Sequence, residues 1–244
     1  MICKVKKNTS ISTMKKIIDQ EGVFIIENYI GGTKLKKLYE ETMIKINNEG
    51  AVYSFGRSYR GPNINSFDDN SEIKKLFTSQ WMKDLYFSYT KNLHNEYGEN
   101  VFSTFDYIIT DKIANNGFLH YDRKSALKFF IYLTDVSKKN GAFYAAPRSN
   151  KYGKTHRINQ WGTLKAHQIY DHNYLLKRLF FNKKYSSIKN KIELDELEEN
   201  YDLIPIEANA GSLIVFDSDT LHKGGIIEEN NLERLILRLH CYKT

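Results

Sequence analysis

The pattern of hydrophobic and polar positions changes character about 100 residues along the chain. In the first part, apolar residues recur every three to four positions, which is typical of helices with one buried face. The predicted helices cover 12–21, a segment that follows the N-cap candidate Thr33 and runs through Ile46, and about 71–97. Between them, the apolar run 23–26 predicts a strand, and the polar, glycine-containing segment 51–70 predicts a loop.

The second part of the chain consists of short apolar segments that are separated by turn signals such as Asn-Gly. These segments are rich in Phe, Tyr, Ile and Leu, which favour strands. The predicted strands are 102–110, 117–121, 126–134, 142–146, 203–207, 212–216 and 233–242. Several short strands after a helical region predict a mainly β protein with flanking helices, either a sandwich or a barrel.

No internal repeat and no flexible linker divides the chain, so one domain is expected over 1–244. Its helical front would cover about 1–100 and its β barrel about 101–244. The segment of about 150–200 interrupts the strands and is basic and aromatic. Long insertions in β barrels commonly cover the mouth, so a lid is expected here, with a disordered segment as the alternative.

The last predicted strand has two chemically different faces. Because side chains alternate along a strand, Arg234, Ile236, Arg238 and His240 share one face. The opposite face is entirely apolar and is expected to meet the core: Leu235, Leu237, Leu239 and Cys241.

Candidate metal ligands stand at the ends of predicted strands. His120 and Asp122 are two residues apart, so on a strand both side chains would point the same way. His222, after the predicted strand 212–216, supplies a third ligand, and Arg234 follows twelve residues later. Two histidines and one carboxylate are the usual ligands of a non-haem Fe(II) centre, and an arginine suits the carboxylate of an acidic cosubstrate.

Other interpretations of these residues stay open from the spacing alone. Asp122 could cap a turn, and His120 and His222 could be ordinary histidines of a half-buried or solvated position. Arg234 could pair with Glu233 or another surface acid, and Arg238 is an alternative anchor for the cosubstrate.

The composition says more about the cellular location and the partners of the protein than about its chemistry. The chain has 244 residues, a net charge of +7 and a pI near 9.1. This charge is compatible with an anionic partner, but the lysines are scattered along the chain, so nucleic acid is not the expected partner. No apolar run is long enough for a membrane helix, so no membrane partner is expected, and no secretory signal is expected because no apolar segment follows the charged first residues. The only cysteines, Cys3 and Cys241, form no disulfide framework, and a reducing cytoplasmic location is expected.

The ordered set of His120-x-Asp122, His222 and Arg234 resembles the Fe(II)/2-oxoglutarate dioxygenases, specifically the phytanoyl-CoA dioxygenase-like group. Residues 19–28 and 127–136 resemble the opening strand of that group and the strand after its HxD motif. Residues 140–150 resemble its "NG…PGSH" turn, although Arg148 replaces the glycine and Asn150 the histidine.

The resemblance implies a double-stranded β-helix of the jelly-roll or cupin type. It also implies Fe(II) bound by His120, Asp122 and His222, with 2-oxoglutarate and O2 as cosubstrates. Arg234 would bind the 2-oxoglutarate, and Lys128 is a second candidate contact. An aspartate at 122 argues against the halogenase variant of this fold, in which a small residue replaces the carboxylate.

The expected activity is hydroxylation of a small molecule with release of succinate and CO2, and the sequence does not identify the substrate or the oligomeric state. Two basic, aromatic segments are candidates for contacting it: Tyr53, Phe55, Arg57, Tyr59 and Arg60, and His156, Arg157, Trp161, Lys165, His167 and His172. They would bind an anionic group, or they are solvated loops of a basic protein. The alternative functions are hydroxylation of a macromolecule, such as a protein side chain or RNA, and a non-catalytic barrel that binds a metal or ligand.

Overall fold

The structure is a computed structural model, and it describes residues 1–53, 56–91, 97–107, 119–122, 124–155, 200–229 and 231–243. Four α-helices lie in the first part of the chain: α1 (Ile11–Glu21), α2 (Gly32–Glu49), α3 (Glu72–Phe77) and α4 (Gln80–Thr90). None of the helices in the described ranges is long and apolar enough to cross a membrane.

Eleven strands are described, and they form two sheets. In chain order they are β1 (Cys3–Lys4), β2 (Val23–Ile26), β3 (Ala51–Tyr53), β4 (Gly56–Arg60), β5 (Asn100–Tyr107), β6 (Ala126–Tyr132), β7 (Phe143–Ala145), β8 (Ile204–Ile206), β9 (Leu213–Asp217), β10 (His222–Lys223) and β11 (Glu233–Tyr242). The large sheet has the order β1-β2-β9-β6-β11-β5-β4-β3, and the small sheet has the order β10-β7-β8.

The two faces of the large sheet have different roles. One face packs against the helices and buries Leu235, Leu237 and Leu239 of β11, as the sequence pattern predicts. On the other face, Phe130 and Phe216 pack against Phe143 of the small sheet. The predicted mainly β, jelly-roll type of fold with flanking helices is confirmed, although the described strands of the large sheet do not close into a barrel.

Most of the predicted elements are present with shifted ends, and three predictions for the first part of the chain are wrong. The segment 51–70 is not simply a loop, because β3 and β4 extend the large sheet beside β5. The single helix 71–97 is two helices that break at 78–79, and Ser71 caps the first of them. Thr33 is not an N-cap, since α2 begins after Gly31 without a side-chain cap.

The first 100 residues therefore contribute strands to the sheet that carries the site, in addition to the helices that pack against that sheet. The predicted lid lies mostly outside the described residues, of which 150–155 are helical and 200 begins the next described segment. Cys3 and Cys241 are both free thiols.

Candidate metal centre

The structure brings the three predicted metal ligands together at one end of the space between the sheets. One ligand atom each from His120, Asp122 and His222 lies within 4.8 Å of the others. The Oδ1 atom of Asp122 is 4.0 Å from His120 Nε2 and 3.7 Å from His222 Nε2. Ligand atoms that share one metal ion at about 2.1 Å stand roughly 3 to 3.4 Å apart, so a small contraction completes the site.

The backbone reaches this arrangement in a different way from the predicted one. His120 forms an isolated bridge with His222, and no strand is present at the described residues 119–121, so the strand prediction for 117–121 is wrong there. Asp122 also lies outside any strand. Reciprocal hydrogen bonds of 2.8 and 3.0 Å join the backbones of the two histidines. The Asp122 backbone N–H donates to the carbonyl of Ser218 at 3.0 Å. These bonds fix both parts of the HxD motif against the segment that carries His222.

The two oxygens of Asp122 have different partners, which suits a carboxylate that gives one oxygen to a metal. Oδ1 faces the histidines, whereas Oδ2 accepts from the buried ammonium of Lys128. Burial would raise the pKa of Asp122, but the charge of Lys128 and the neighbouring histidines outweigh it, and the pKa is lowered. Burial lowers the pKa of Lys128, and Asp122 opposes that shift. Asp122 is thus an anion at neutral pH, as a metal ligand must be.

His222 is likewise prepared to offer its Nε2 atom. Its Nδ1 donates to the carbonyl oxygen of Thr220 at 2.7 Å, which places the proton on Nδ1 and leaves a lone pair on Nε2. Burial, together with the nearby His120, lowers the pKa of His222 to about 3. The ring is therefore neutral near pH 7. The donor set, its charge state and its orientation all fit a divalent metal ion.

Arg234 lies in the same cavity but is engaged with a residue that the sequence analysis did not single out. Its Nε donates to Asp106 Oδ2 at 2.9 Å, and its Nη2 donates to the same oxygen. The side chains are only 10% and 7% exposed. The partner is thus neither Glu233 nor a surface acid. Arg234 and Asp106 are cross-strand neighbours on β11 and β5, so their side chains lie on the same face of the sheet.

The pairing leaves one edge of the Arg234 guanidinium for a ligand. A guanidinium has five N–H donors in two forks, and Asp106 occupies the fork made by Nε and Nη2. The end-on fork of Nη1 and Nη2 remains, and Nη1 lies 3.5 Å from the carbonyl oxygen of Gly225. Asp106 thus fixes the plane of the guanidinium and leaves a geometry that suits a carboxylate.

The cavity between the sheets has a volume of about 310 Å³ and contains all of the predicted site residues together. Its lining includes His120, Asp122, Lys128, His222, Arg234 and Arg238. Lys128 touches a predicted metal ligand, and its role as a cosubstrate contact stays a prediction. Of the two basic segments, Arg60 reaches the cavity, whereas Arg57 faces the other way and donates to Asn47 of α2 at 3.2 Å. Phe55 and 156–199 lie outside the described residues.

The turn at 147–150 keeps a backbone conformation that favours glycine, although Arg148 occupies it. Arg148 has a φ of 69°, in the left-handed region. Two contacts to Glu21 accompany it: the backbone N–H of Arg148 donates to the Glu21 carbonyl at 2.9 Å, and its guanidinium pairs with the carboxylate. Asn150 donates to the carbonyl of Ile18. The two departures from the family pattern therefore attach this turn to α1 and leave the metal cluster untouched.

The fold and the site together define a jelly-roll protein with the ligand set of a non-haem iron enzyme. The family described as "Phytanoyl-CoA dioxygenase (PhyH)" matches residues 114–227, a range that contains His120, Asp122 and His222 and ends before Arg234. This match confirms the resemblance that the sequence motifs indicate. The family and the triad bear out the predicted cofactor set of Fe(II), 2-oxoglutarate and O2.

Solved structures with the same fold include three proteins of low sequence identity. The non-heme alpha ketoglutarate dependent epimerase SnoN has a TM-score of 0.59 at 12% identity, over 94% of this chain and 81% of its own. The carbocyclase SnoK has a TM-score of 0.58 at 10% identity, over 97% and 85%. AviO1 from Streptomyces viridochromogenes has a TM-score of 0.53 at 12% identity, over 95% of each chain. No curated protein matches the sequence.

Proposed function

We propose that this protein is an Fe(II)- and 2-oxoglutarate-dependent oxygenase that hydroxylates a small, anionic molecule. The observation that carries the proposal is the geometry at Asp122: its Oδ1 atom faces the Nε2 atoms of His120 and His222, while Lys128 holds Oδ2. This is the 2-His-1-carboxylate ligand set of non-haem Fe(II) oxygenases. SnoN, a structural neighbour, has been solved with Fe3+ and alpha ketoglutarate. We also propose a cytoplasmic setting, in which Cys3 and Cys241 remain thiols.

Each residue of the site has a defined task in this proposal. His120, Asp122 and His222 hold Fe(II), and the end-on fork of Arg234 binds the distal carboxylate of 2-oxoglutarate. The bound iron supplies O2 activation, in which 2-oxoglutarate is oxidised to succinate and CO2 and one oxygen atom enters a C–H bond of the substrate. Lys128 keeps Asp122 ionised and oriented, and Phe143 and Phe216 pack against His222 at ring distances of 5.6 and 5.1 Å, which keeps water from its outer side.

The test incubates the Fe(II)-loaded protein with 2-oxoglutarate, O2 and pools of small anionic metabolites. The measured quantity is the release of succinate. We expect succinate from the wild type and none from Asp122→Ala. Succinate release is the right signal because two structural neighbours are an epimerase and a carbocyclase, and it does not presuppose which product forms. A product mass that is greater than the substrate mass by one oxygen atom then identifies the reaction as hydroxylation.

The same assay separates the two alternative functions. Turnover with protein or RNA substrates but with no small molecule would favour the macromolecular hydroxylase. No succinate with any substrate, together with intact metal binding, would favour a non-catalytic ligand-binding protein and would overturn the proposal.

A further inference from the structure

A row of alternating arginine and phenylalanine side chains crosses four strands on the floor of the cavity. Strand register makes Arg60 of β4 and Phe102 of β5 direct neighbours, followed by Arg238 of β11 and Phe130 of β6. All four side chains line the cavity. The row and the metal cluster line the same cavity, and Arg238 lies four residues along β11 from Arg234. The row is therefore a separate cationic feature from the proposed 2-oxoglutarate anchor.

Phe102 holds the two guanidinium groups of this row close together. The Cζ atoms of Arg238 and Arg60 lie 4.1 and 5.2 Å from the centroid of its ring. The two carbons are consequently less than about 9.3 Å apart. An oxyanion that accepts hydrogen bonds of about 2.8 Å from two guanidiniums separates their carbons by roughly 8 Å, which this spacing allows.

The next row of the same face adds a hydrogen-bonding atom. His240 follows Arg238 by two residues and lines the cavity. Its Nε2 atom is buried and has no hydrogen-bond partner within the part of the chain that the structure describes. Burial and then the charges of Lys128, Arg238 and Arg60 lower the pKa of His240 well below its usual value, so the ring is neutral. A neutral imidazole can donate one hydrogen bond to an anion without adding charge.

The described residues that line the cavity include more cationic than anionic side chains. Four cations line the cavity, and only Asp106 and Asp122 oppose them. Fe(II) and the 2-oxoglutarate dianion cancel each other. Lys128 offsets Asp122, and Arg234 offsets Asp106. The other two cations of the lining are Arg60 and Arg238, which lie together beside Phe102.

We propose that Arg60 and Arg238 bind an anionic oxygen group of the prime substrate, a phosphate or a carboxylate, with His240 Nε2 as a third contact. This inference rests on the proposed function, which it extends by locating the substrate. Neighbouring strands are about 4.8 Å apart, so the anionic group over β5 lies roughly 10 Å from a metal held beside β6. The oxidised carbon is therefore several bonds from the anionic group.

The test uses protein loaded anaerobically with Fe(II) and 2-oxoglutarate, titrated with inorganic phosphate or with acetate at constant ionic strength in a calorimeter. The wild type should bind one of these probes, and the stronger probe identifies the chemistry of the group. Arg60→Gln and Arg238→Gln should each weaken that binding at least tenfold. Arg57→Gln is the matched control on the same strand, and its affinity for the probe should not change.

The visible charge-transfer band of the iron–2-oxoglutarate complex is recorded in the same samples. If this band is absent from the wild type, the proposed function fails. If the band is normal but neither probe binds up to 20 mM, or binding is unchanged in Arg60→Gln and Arg238→Gln, only the anion site is overturned. Loss of the band in Arg238→Gln with unchanged phosphate binding would make Arg238 the cosubstrate anchor and would also overturn the inference.

Discussion

The ion pair between Arg234 and Asp106 allows the cosubstrate anchor to be tested through protein stability. Asp106→Asn removes the negative charge but keeps an oxygen that can accept from Arg234 Nε, so the orientation of the guanidinium is retained. The side chain of Arg234 is 10% exposed. Leaving one member of a buried pair without its partner costs about 3 to 5 kcal/mol, and the adjoining cavity favours the lower end of that range. We therefore expect the metal-free variant to lose about 3 kcal/mol of unfolding free energy.

Bound 2-oxoglutarate should reduce this loss, because its distal carboxylate supplies the charge that Asp106 no longer provides. In the wild type, that carboxylate and Asp106 share one guanidinium and repel each other. At a separation of roughly 6 Å, this repulsion is on the order of 1.4 to 3 kcal/mol for effective dielectric constants of about 40 to 20. Removing it corresponds to binding of 2-oxoglutarate that is at least about tenfold tighter.

The measurement is urea unfolding of the wild type and Asp106→Asn under anaerobic conditions, without additions, with Fe(II) alone, and with Fe(II) and 2-oxoglutarate. The difference between the two proteins should shrink by about 1.4 kcal/mol or more only in the last condition. Asp84→Asn, an exposed carboxylate on α4, should change stability by less than about 0.5 kcal/mol throughout. An equal loss with and without 2-oxoglutarate would refute the binding of its distal carboxylate by Arg234. Arg238 would then be the candidate for that role.

Three further substitutions test the roles of Lys128, Glu41 and His240. Lys128→Met should weaken Fe(II) binding about 10- to 100-fold in a chelator competition, because it removes the partner that orients the ligand carboxylate, and unchanged affinity would contradict that role. Glu41→Ala should cost about 1 to 2 kcal/mol in urea unfolding, since its carboxylate accepts from two backbone N–H groups in the first turn of α3, whereas Glu40→Ala should cost less than about 0.5. The pKa of His240 is lowered in the folded state, so near and below pH 6.5 the unfolded state binds more protons and the wild type loses stability as the pH falls. The metal-free His240→Phe variant should therefore lose about 1.4 kcal/mol less unfolding free energy than the metal-free wild type between pH 7.5 and 5.5. An identical pH-dependent loss in both proteins would show that His240 titrates normally.

The sequence predicts β11 well because that strand carries an unambiguous alternation of period two. Leu235, Leu237 and Leu239 can be buried only against the helices, so Arg234 and Arg238 must face the other way. The triad is predictable for a related reason, since its three residue types occur together with a downstream arginine in the expected order.

Other features depend on contacts that local patterns do not encode. The pair of Asp106 with Arg234 is set by the register of β5 against β11, which are more than 100 residues apart in the sequence. The strand β4 is polar and contains glycine, and it forms because β5 offers an open edge for hydrogen bonding. The sequence therefore predicts that Arg60 lies in a loop, although it is the first residue of the arginine and phenylalanine row on the cavity floor.

Anaerobic addition of Fe(II) and 2-oxoglutarate tests the metal centre most directly. The complex should show a weak visible charge-transfer band that requires both additions. The band should be absent in Asp122→Ala and His222→Ala, and it should need more 2-oxoglutarate in Arg234→Gln. Arg148→Ala, on the turn that contacts α1, should leave the band intact. A wild-type protein that binds no iron, or a band of equal intensity in Asp122→Ala, would contradict the assignment of His120, Asp122 and His222 as the iron ligands.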